Sequence, residues 1–197
     1  MSTLKNTKEF GNPHSELRDP GDFYETPRSF TREMLTIESF SRKVWEPTTG
    51  KGAISDVLSE CGYHVYKTDI VERIKLNRAL DFLSPDCARL KGKYDIVMNP
   101  PFKYFNDFVI KAFEMCNQKV AVVACLAILK SSGRYEKIFT KFPVKKVLVC
   151  PTLHTICAEN RVIQSHFGHI WIIFDKQHDG ATEMVWMKNV KHDGRNP

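Results

Sequence analysis

The run Val120-Ala121-Val122-Val123-Ala124-Cys125-Leu126 has no charged or amide side chain at either alternation of a strand. A strand that is apolar on both faces must be covered on both faces, which puts it in the middle of a sheet lying between helices. Helical patterns flank it: Phe105, Phe108, Val109, Ala112, Phe113 and Cys116 before it, and Tyr135, Ile138, Phe139 and Phe142 after it. Upstream, strands are predicted at Lys43–Trp45, Tyr63–Lys67 and Lys93–Met98. One helix is predicted from Pro27 through Phe30, Met34 and Ile37, and another over Ile54, Val57, Leu58 and Cys61, stopped by Gly62. Strand alternating with helix gives the α/β class and an open, mostly parallel sheet. The end of the chain differs. Val144–Cys150, Ile170–Phe174 and Thr182–Met187 are strand-like with no helix pattern between them, so an antiparallel C-terminal finish is expected.

A chain of 197 residues with 42% hydrophobic content can bury one real core, and two would be cramped. The expected organisation is a flexible arm over residues 1–21, where Gly11, Pro13, Pro20 and Gly21 sit among polar residues, a single domain over 22–190, and a tail over 191–197. Lys and Arg number 29 against 23 Asp and Glu, and the resulting charge of +6 favours a polyanionic partner. The six cysteines form no Cys-x-x-Cys pair and several lie in apolar runs, as reduced, buried thiols of a cytoplasmic protein do. The longest apolar run, Val120–Leu129, is too short to cross a bilayer, and residues 1–11 lack a signal-peptide core, so no membrane partner is expected.

In open α/β sheets ligands sit at the carboxyl ends of the strands, and the loops there are chemically rich. After the first strand comes Glu46-Pro47-Thr48-Thr49-Gly50-Lys51-Gly52, a glycine loop that matches neither common phosphate-gripping pattern and carries an acid instead. That acid suits a cationic or hydroxylated ligand. Asp69 follows the second strand, placed as the acid that hydrogen-bonds ribose hydroxyls, and Asp81-Phe82 lies further on. The strand Tyr94–Met98 then runs into Asn99-Pro100-Pro101-Phe102. Two prolines stiffen that corner, so the Asn99 amide oxygen and nearby carbonyls can point one way beside the flat face of Phe102. Acceptors beside a stacking ring suit the exocyclic amine of a nucleobase. Cys150, His154, Cys157, His166 and His169 fit no common zinc spacing, and no metal is expected.

Taken in order, Asp22-Phe23-Tyr24-Glu25-Thr26-Pro27, Glu46 to Gly52, and Asn99 to Phe102 resemble the motif set of S-adenosylmethionine-dependent adenine-amino DNA methyltransferases, small phage and prophage members above all. The resemblance runs from Asp22 to Lys176 and includes Phe167–Lys176, which is similar to a late strand of those enzymes. It implies a Rossmann-like methyltransferase fold, S-adenosylmethionine as cofactor, and DNA as partner, in the bacterial host's cytoplasm if the protein is phage-encoded. It also implies roles for particular residues. Tyr24, Thr26 and Pro27 would wall the cofactor's methionine end, and Glu46, Pro47, Gly50 and Gly52 its middle. Asp69, with Ile70 beside it, would hold the ribose, and Asp81 and Phe82 would meet the adenine. Asn99, Pro100, Pro101 and Phe102 would form the catalytic box, Asn99 also bordering the cofactor. Lys103, Lys130, Arg134 and Arg161 are the candidate substrate contacts, drawn from a basic stretch in which Lys130–Lys146 has the single acid Glu136. Similar boxes occur in methylases of RNA bases and of protein glutamine, so those substrates, and a cofactor-binding module without turnover, stay open. Larger relatives carry a separate target-recognition domain. Without one, a very short site, little sequence preference or a partner is expected.

Overall fold

The computed structural model describes residues 25–151 and 168–188, together with the backbone of 154–156 and 162–164. The expected arm (1–21), Tyr24, Arg161 and the expected tail (191–197) lie outside the described residues. In chain order the elements are α1 (Arg28–Ile37), β1 (Lys43–Glu46), α2 (Ala53–Glu60), β2 (His64–Asp69), β3 (Arg78–Ala79), β4 (Asp95–Met98), α3 (Phe105–Met115) and β5 (Lys119–Cys125). After α4 (Ser132–Arg134), which runs into a π-helical turn at Tyr135–Phe139, come β6 (Val144–Val149), β7 (His154–Ile156), β8 (Val162–Gln164), β9 (His169–Asp175) and β10 (Glu183–Trp186).

Eight strands form one sheet in the order β10-β6-β9-β5-β4-β1-β2-β3, and β7 pairs with β8 separately. All seven predicted strand segments coincide with β1, β2, β4, β5, β6, β9 and β10 to within a few residues. Strand β9 is antiparallel to both β5 and β6 and supplies the expected antiparallel element. The final strand, β10, pairs parallel to β6. The chain does reverse after β9, but β5 and β6 already occupy both edges of that strand. The returning segment therefore pairs with the outer edge of β6.

Both faces of β5 are covered, as its sequence requires. On one side Phe30 and Met34 of α1 and Ile54 and Leu58 of α2 pack with Val97, Val123 and Trp171. On the other, Phe105, Val109 and Ala112 of α3 pack with Ile96, Val122 and Ile172. Phe30 and Met34 are fully buried, and each such side chain contributes about 1.5–3 kcal/mol. At the amino ends of the strands, buried Asp95 accepts hydrogen bonds from the backbone N–H of Ser41 (2.7 Å), Gln118 (3.0 Å) and Lys119 (2.9 Å), tying the starts of β1, β4 and β5 together. At the same end Glu38, the C-cap of α1, meets the ammonium groups of Lys119 (2.6 Å), Lys146 (3.0 Å) and Lys145 (3.1 Å). Burial opposes ionisation of Glu38, but these three lysines outweigh it and hold the carboxyl at about 2.

Chain order in the sheet switches direction between β1 and β4, which pair directly. In such sheets the crevice beyond that switch point is where ligands bind. Glu46 ends β1 and Asn99 follows β4, so both residues border that crevice.

Candidate functional site

Strand β1 delivers Glu46 into the interior, where it is 1% exposed. The loop after it turns tightly. The buried Thr49 hydroxyl lies 3.0 Å from the carbonyl of Glu46 and 3.1 Å from that of Thr68, and Gly50 and Gly52 have φ of 57° and 93°. A side chain at Gly52 would be strained by that φ and would bring its Cβ to 3.0 Å from the Ile74 methyl. Gly50 instead uses its backbone, its N–H donating to the Asp69 carboxylate at 2.8 Å.

Asp69 ends β2 with each carboxylate oxygen accepting a backbone hydrogen bond at the cavity edge. Its second oxygen accepts from the Val71 N–H (3.0 Å) and lies 3.6 Å from the Arg73 guanidinium. Ile70 next to it is 70% exposed, an unusual position for isoleucine and one that offers an apolar surface to a ligand. Asp81 is exposed and accepts from the Leu83 N–H at 2.9 Å. Phe82 is a core residue first: its ring stacks on Phe108 (centroids 5.3 Å) and meets Trp45 edge to face (5.1 Å). One of its faces is therefore already covered.

The corner after β4 is fixed from the far end of the chain. The Asn99 side-chain N–H donates to the Thr26 hydroxyl at 3.0 Å, joining residues 73 positions apart. With its nitrogen end held there, the acceptor end of the amide is turned the other way. Pro100 is buried, Pro101 precedes a short 3-10 turn over Phe102–Tyr104, and the Phe102 ring lies 6.4 Å from that of His169 at the start of β9. Lys103 is exposed, with its ammonium 5.3 Å over the Tyr104 ring.

Of the proposed site residues, Thr26, Glu46, Pro47, Gly50, Asp69, Ile70, Asp81, Phe82, Asn99 and Pro101 line one cavity of about 440 Å³. Others stand off its wall. Gly52 caps α2, Pro27 caps α1, Pro100 is packed inside, and Phe102 turns toward His169. Lys130 and Arg134 lie in the segment after β5, outside the cavity. Sequence reasoning missed Thr48, Arg73 and Tyr104, which line it. Each is one to four residues from a motif position, and only the folding of the loops brings them inward. Of the five residues considered as metal ligands, only Cys150 and His169 have described side chains, and the described residues hold no metal-ligand cluster.

The polar chemistry of the wall is incomplete. Glu46 Oε2 and the Thr48 hydroxyl are buried without a hydrogen-bond partner. Burial pushes the Glu46 carboxyl well above its ordinary range, and nearby Ser55 and the charge of Lys67 only partly oppose this. Buried polar groups normally find partners, so two orphan groups on residues lining one cavity mark the place of a polar or cationic ligand.

No family model matches the chain, and no curated protein matches it in sequence. Solved structures do share its fold. A candidate RNA methyltransferase from Pyrococcus horikoshii superposes with a TM-score of 0.55 at 17% identity, over 81% of this chain and 91% of that one. The modification subunit of a candidate type I restriction enzyme from Vibrio vulnificus gives 0.60 at 15% identity, covering 92% of this chain, which spans only 50% of that one. A TehB-like SAM-dependent methyltransferase from Corynebacterium glutamicum gives 0.50 at 12% identity, over 76% and 88%. The chain thus has the Rossmann-like fold of methyltransferases. Among its described residues no helix is long and apolar enough to cross a membrane.

Proposed function

We propose that this protein transfers a methyl group from S-adenosylmethionine to the exocyclic amine of adenine in DNA, using residues 22–190 as one methyltransferase domain. The observation that carries this reading is the Asn99 amide, clamped by Thr26 on the wall of the cavity that also holds Asp69, Gly50 and the orphan Glu46 carboxyl.

The residues present fit the cofactor. When bound, S-adenosylmethionine supplies a methyl group activated by a sulfonium. Glu46 and Thr48 offer acceptors to a cationic ligand, Asp69 reaches ribose hydroxyls, Asp81 offers an acceptor to the adenine amine, and Ile70 an apolar face. Thr26 serves the methionine end, as does Tyr24. A volume of about 440 Å³ lies within the usual range for small-molecule sites.

Adenine's amino nitrogen is a poor nucleophile because its lone pair is conjugated into the ring. The Asn99 amide oxygen and the Pro100 carbonyl accept hydrogen bonds from that amine and draw the lone pair out of conjugation. Acceptors fixed in place bind the nitrogen more strongly as it becomes positive, which lowers the barrier rather than merely holding the substrate. No strong general base is needed. Phe102 gives the base a stacking face, and Lys103, Lys130, Arg134 and Arg161 contact the phosphate chain. Methylation at a ring carbon of cytosine would call for a thiolate, typically in a Pro-Cys dipeptide, and the chain has none. In duplex DNA the target base must flip out of the stack.

RNA adenine is the second reading, favoured by the named substrate class of the Pyrococcus protein. Transfer of labelled methyl to DNA, with Asn99→Ala as control, tests the proposal. Equal transfer by the two proteins would refute it.

A further inference from the structure

Among the described residues seven large apolar side chains are exposed; Ile70, Val71, Tyr104, Leu126, Tyr135 and Trp186 stand at or beyond the carboxyl ends of strands, and Met184 lies within β10. The outer faces of α1, α2 and α3 carry none, whereas Tyr104 follows β4, Leu126 follows β5, Tyr135 opens the π-helical turn beyond it, and Trp186 closes β10. Tyr135 is 61% exposed and Trp186 67%. Trp186 pairs with Val149 at the carboxyl end of β6, so it stands at the same end of the sheet as Asn99. From β4 to β10 there are four strand spacings, a span of roughly 19 Å. Cations punctuate that rim. Lys103, Lys130 and Arg134 lie along it, and residues 126–142 contain the single acid Glu136.

Exposed rings offer nothing to a duplex whose bases stack on one another. A strand with unstacked bases uses such rings as platforms while lysines and arginines hold its phosphates. We propose that the rim from Tyr104 to Trp186 is a track for single-stranded nucleic acid, with bases stacking on Tyr104, Tyr135 and Trp186. The track leads to the cavity mouth, where Lys103 sits over the Tyr104 ring. It rests on the nucleic-acid reading given above and adds the strand state of the substrate.

Of the three tryptophans, Trp45 and Trp171 are fully buried, so Trp186 is a ready reporter. The test uses the full chain and oligothymidylate of about twelve nucleotides, which carries no adenine and so reads the track apart from the reaction. The expected result is saturable quenching of Trp186 and binding at least tenfold tighter than to a duplex of equal length. Tyr135→Ala and Trp186→Ala should each weaken binding roughly tenfold, the scale for one lost base–ring stack, with S-adenosylmethionine affinity and unfolding temperature unchanged. Equal affinity for duplex, undiminished binding by both variants, or no binding overturns the track. Methyl transfer to duplex adenine at full rate by both variants also overturns the track while sparing the reaction. Ring-dependent oligothymidylate binding with no methyl transfer to any adenine upholds the track and removes the reaction.

Discussion

Replacing Glu46 by Gln separates what the buried acid does for the ligand from what it costs the fold. In wild type, Glu46 Oε2 is buried without a partner, and burial raises its folded pKa above the unfolded value of 4.5. A raised folded pKa means that the group's stability is fully present below pH 4.5 and is lost as pH rises through the folded pKa. Glutamine keeps the shape and does not titrate. Glu46→Gln should therefore match wild type near pH 4 and become more stable than it toward pH 8. The gain should appear as a rise in Tm over wild type that grows from pH 4 to pH 8, at about 2–4 °C per kcal/mol for a chain of this size. Cofactor affinity should move the other way. A cationic ligand favours the ionised acid, so Glu46→Gln should bind S-adenosylmethionine more weakly by about 1.5–3 kcal/mol, roughly 10- to 150-fold. Wild type should also release a proton on binding, seen by calorimetry in buffers of different ionisation enthalpy. The reasoning is refuted if Glu46→Gln loses stability at pH 8, or if it binds the cofactor as tightly as wild type.

The remaining predictions concern catalysis, the amino-end ion cluster and the substrate rim. Asn99→Ala removes an acceptor used most in the transition state, so turnover should fall about 100-fold or more, with cofactor affinity little changed by calorimetry. Glu38 has a depressed folded pKa, so its contribution is present above pH 4.5 and lost as pH falls toward about 2. Glu38→Ala leaves three lysines without their shared partner and should cost about 3–5 kcal/mol at neutral pH, with the deficit shrinking in acid denaturation. Lys103→Ala should reduce the slope of log affinity for DNA against log salt by about 1 without changing cofactor binding.

Most of the sheet was legible because its strands announce themselves locally. The apolar run at 120–126 could only be central, and β5 is central with helices on both faces. What escaped were features set by distant parts of the chain. Strand β3 is two residues long and exposed, too short to carry an alternation, and the pairing of β10 depends on which strand edges others have filled. The site shows the same division. Glu46, Gly50, Asp69 and Asn99 sit where strand ends and loops place them, so position in sequence located them on the cavity wall. The Thr26–Asn99 hydrogen bond, the Arg73–Asp69 contact and the contact of Phe102 with His169 depend on tertiary placement, and neither periodicity nor motif spacing encodes it.

Mass spectrometry of nucleosides tests the central claim most directly. The protein is incubated with methyl-labelled S-adenosylmethionine and either DNA or RNA free of methylated adenine, and each polymer is digested to nucleosides. The account predicts label on the N6 amine of deoxyadenosine with wild type, and at least a hundredfold less with Asn99→Ala. Label on cytosine, label confined to RNA, or no label in either polymer would contradict it.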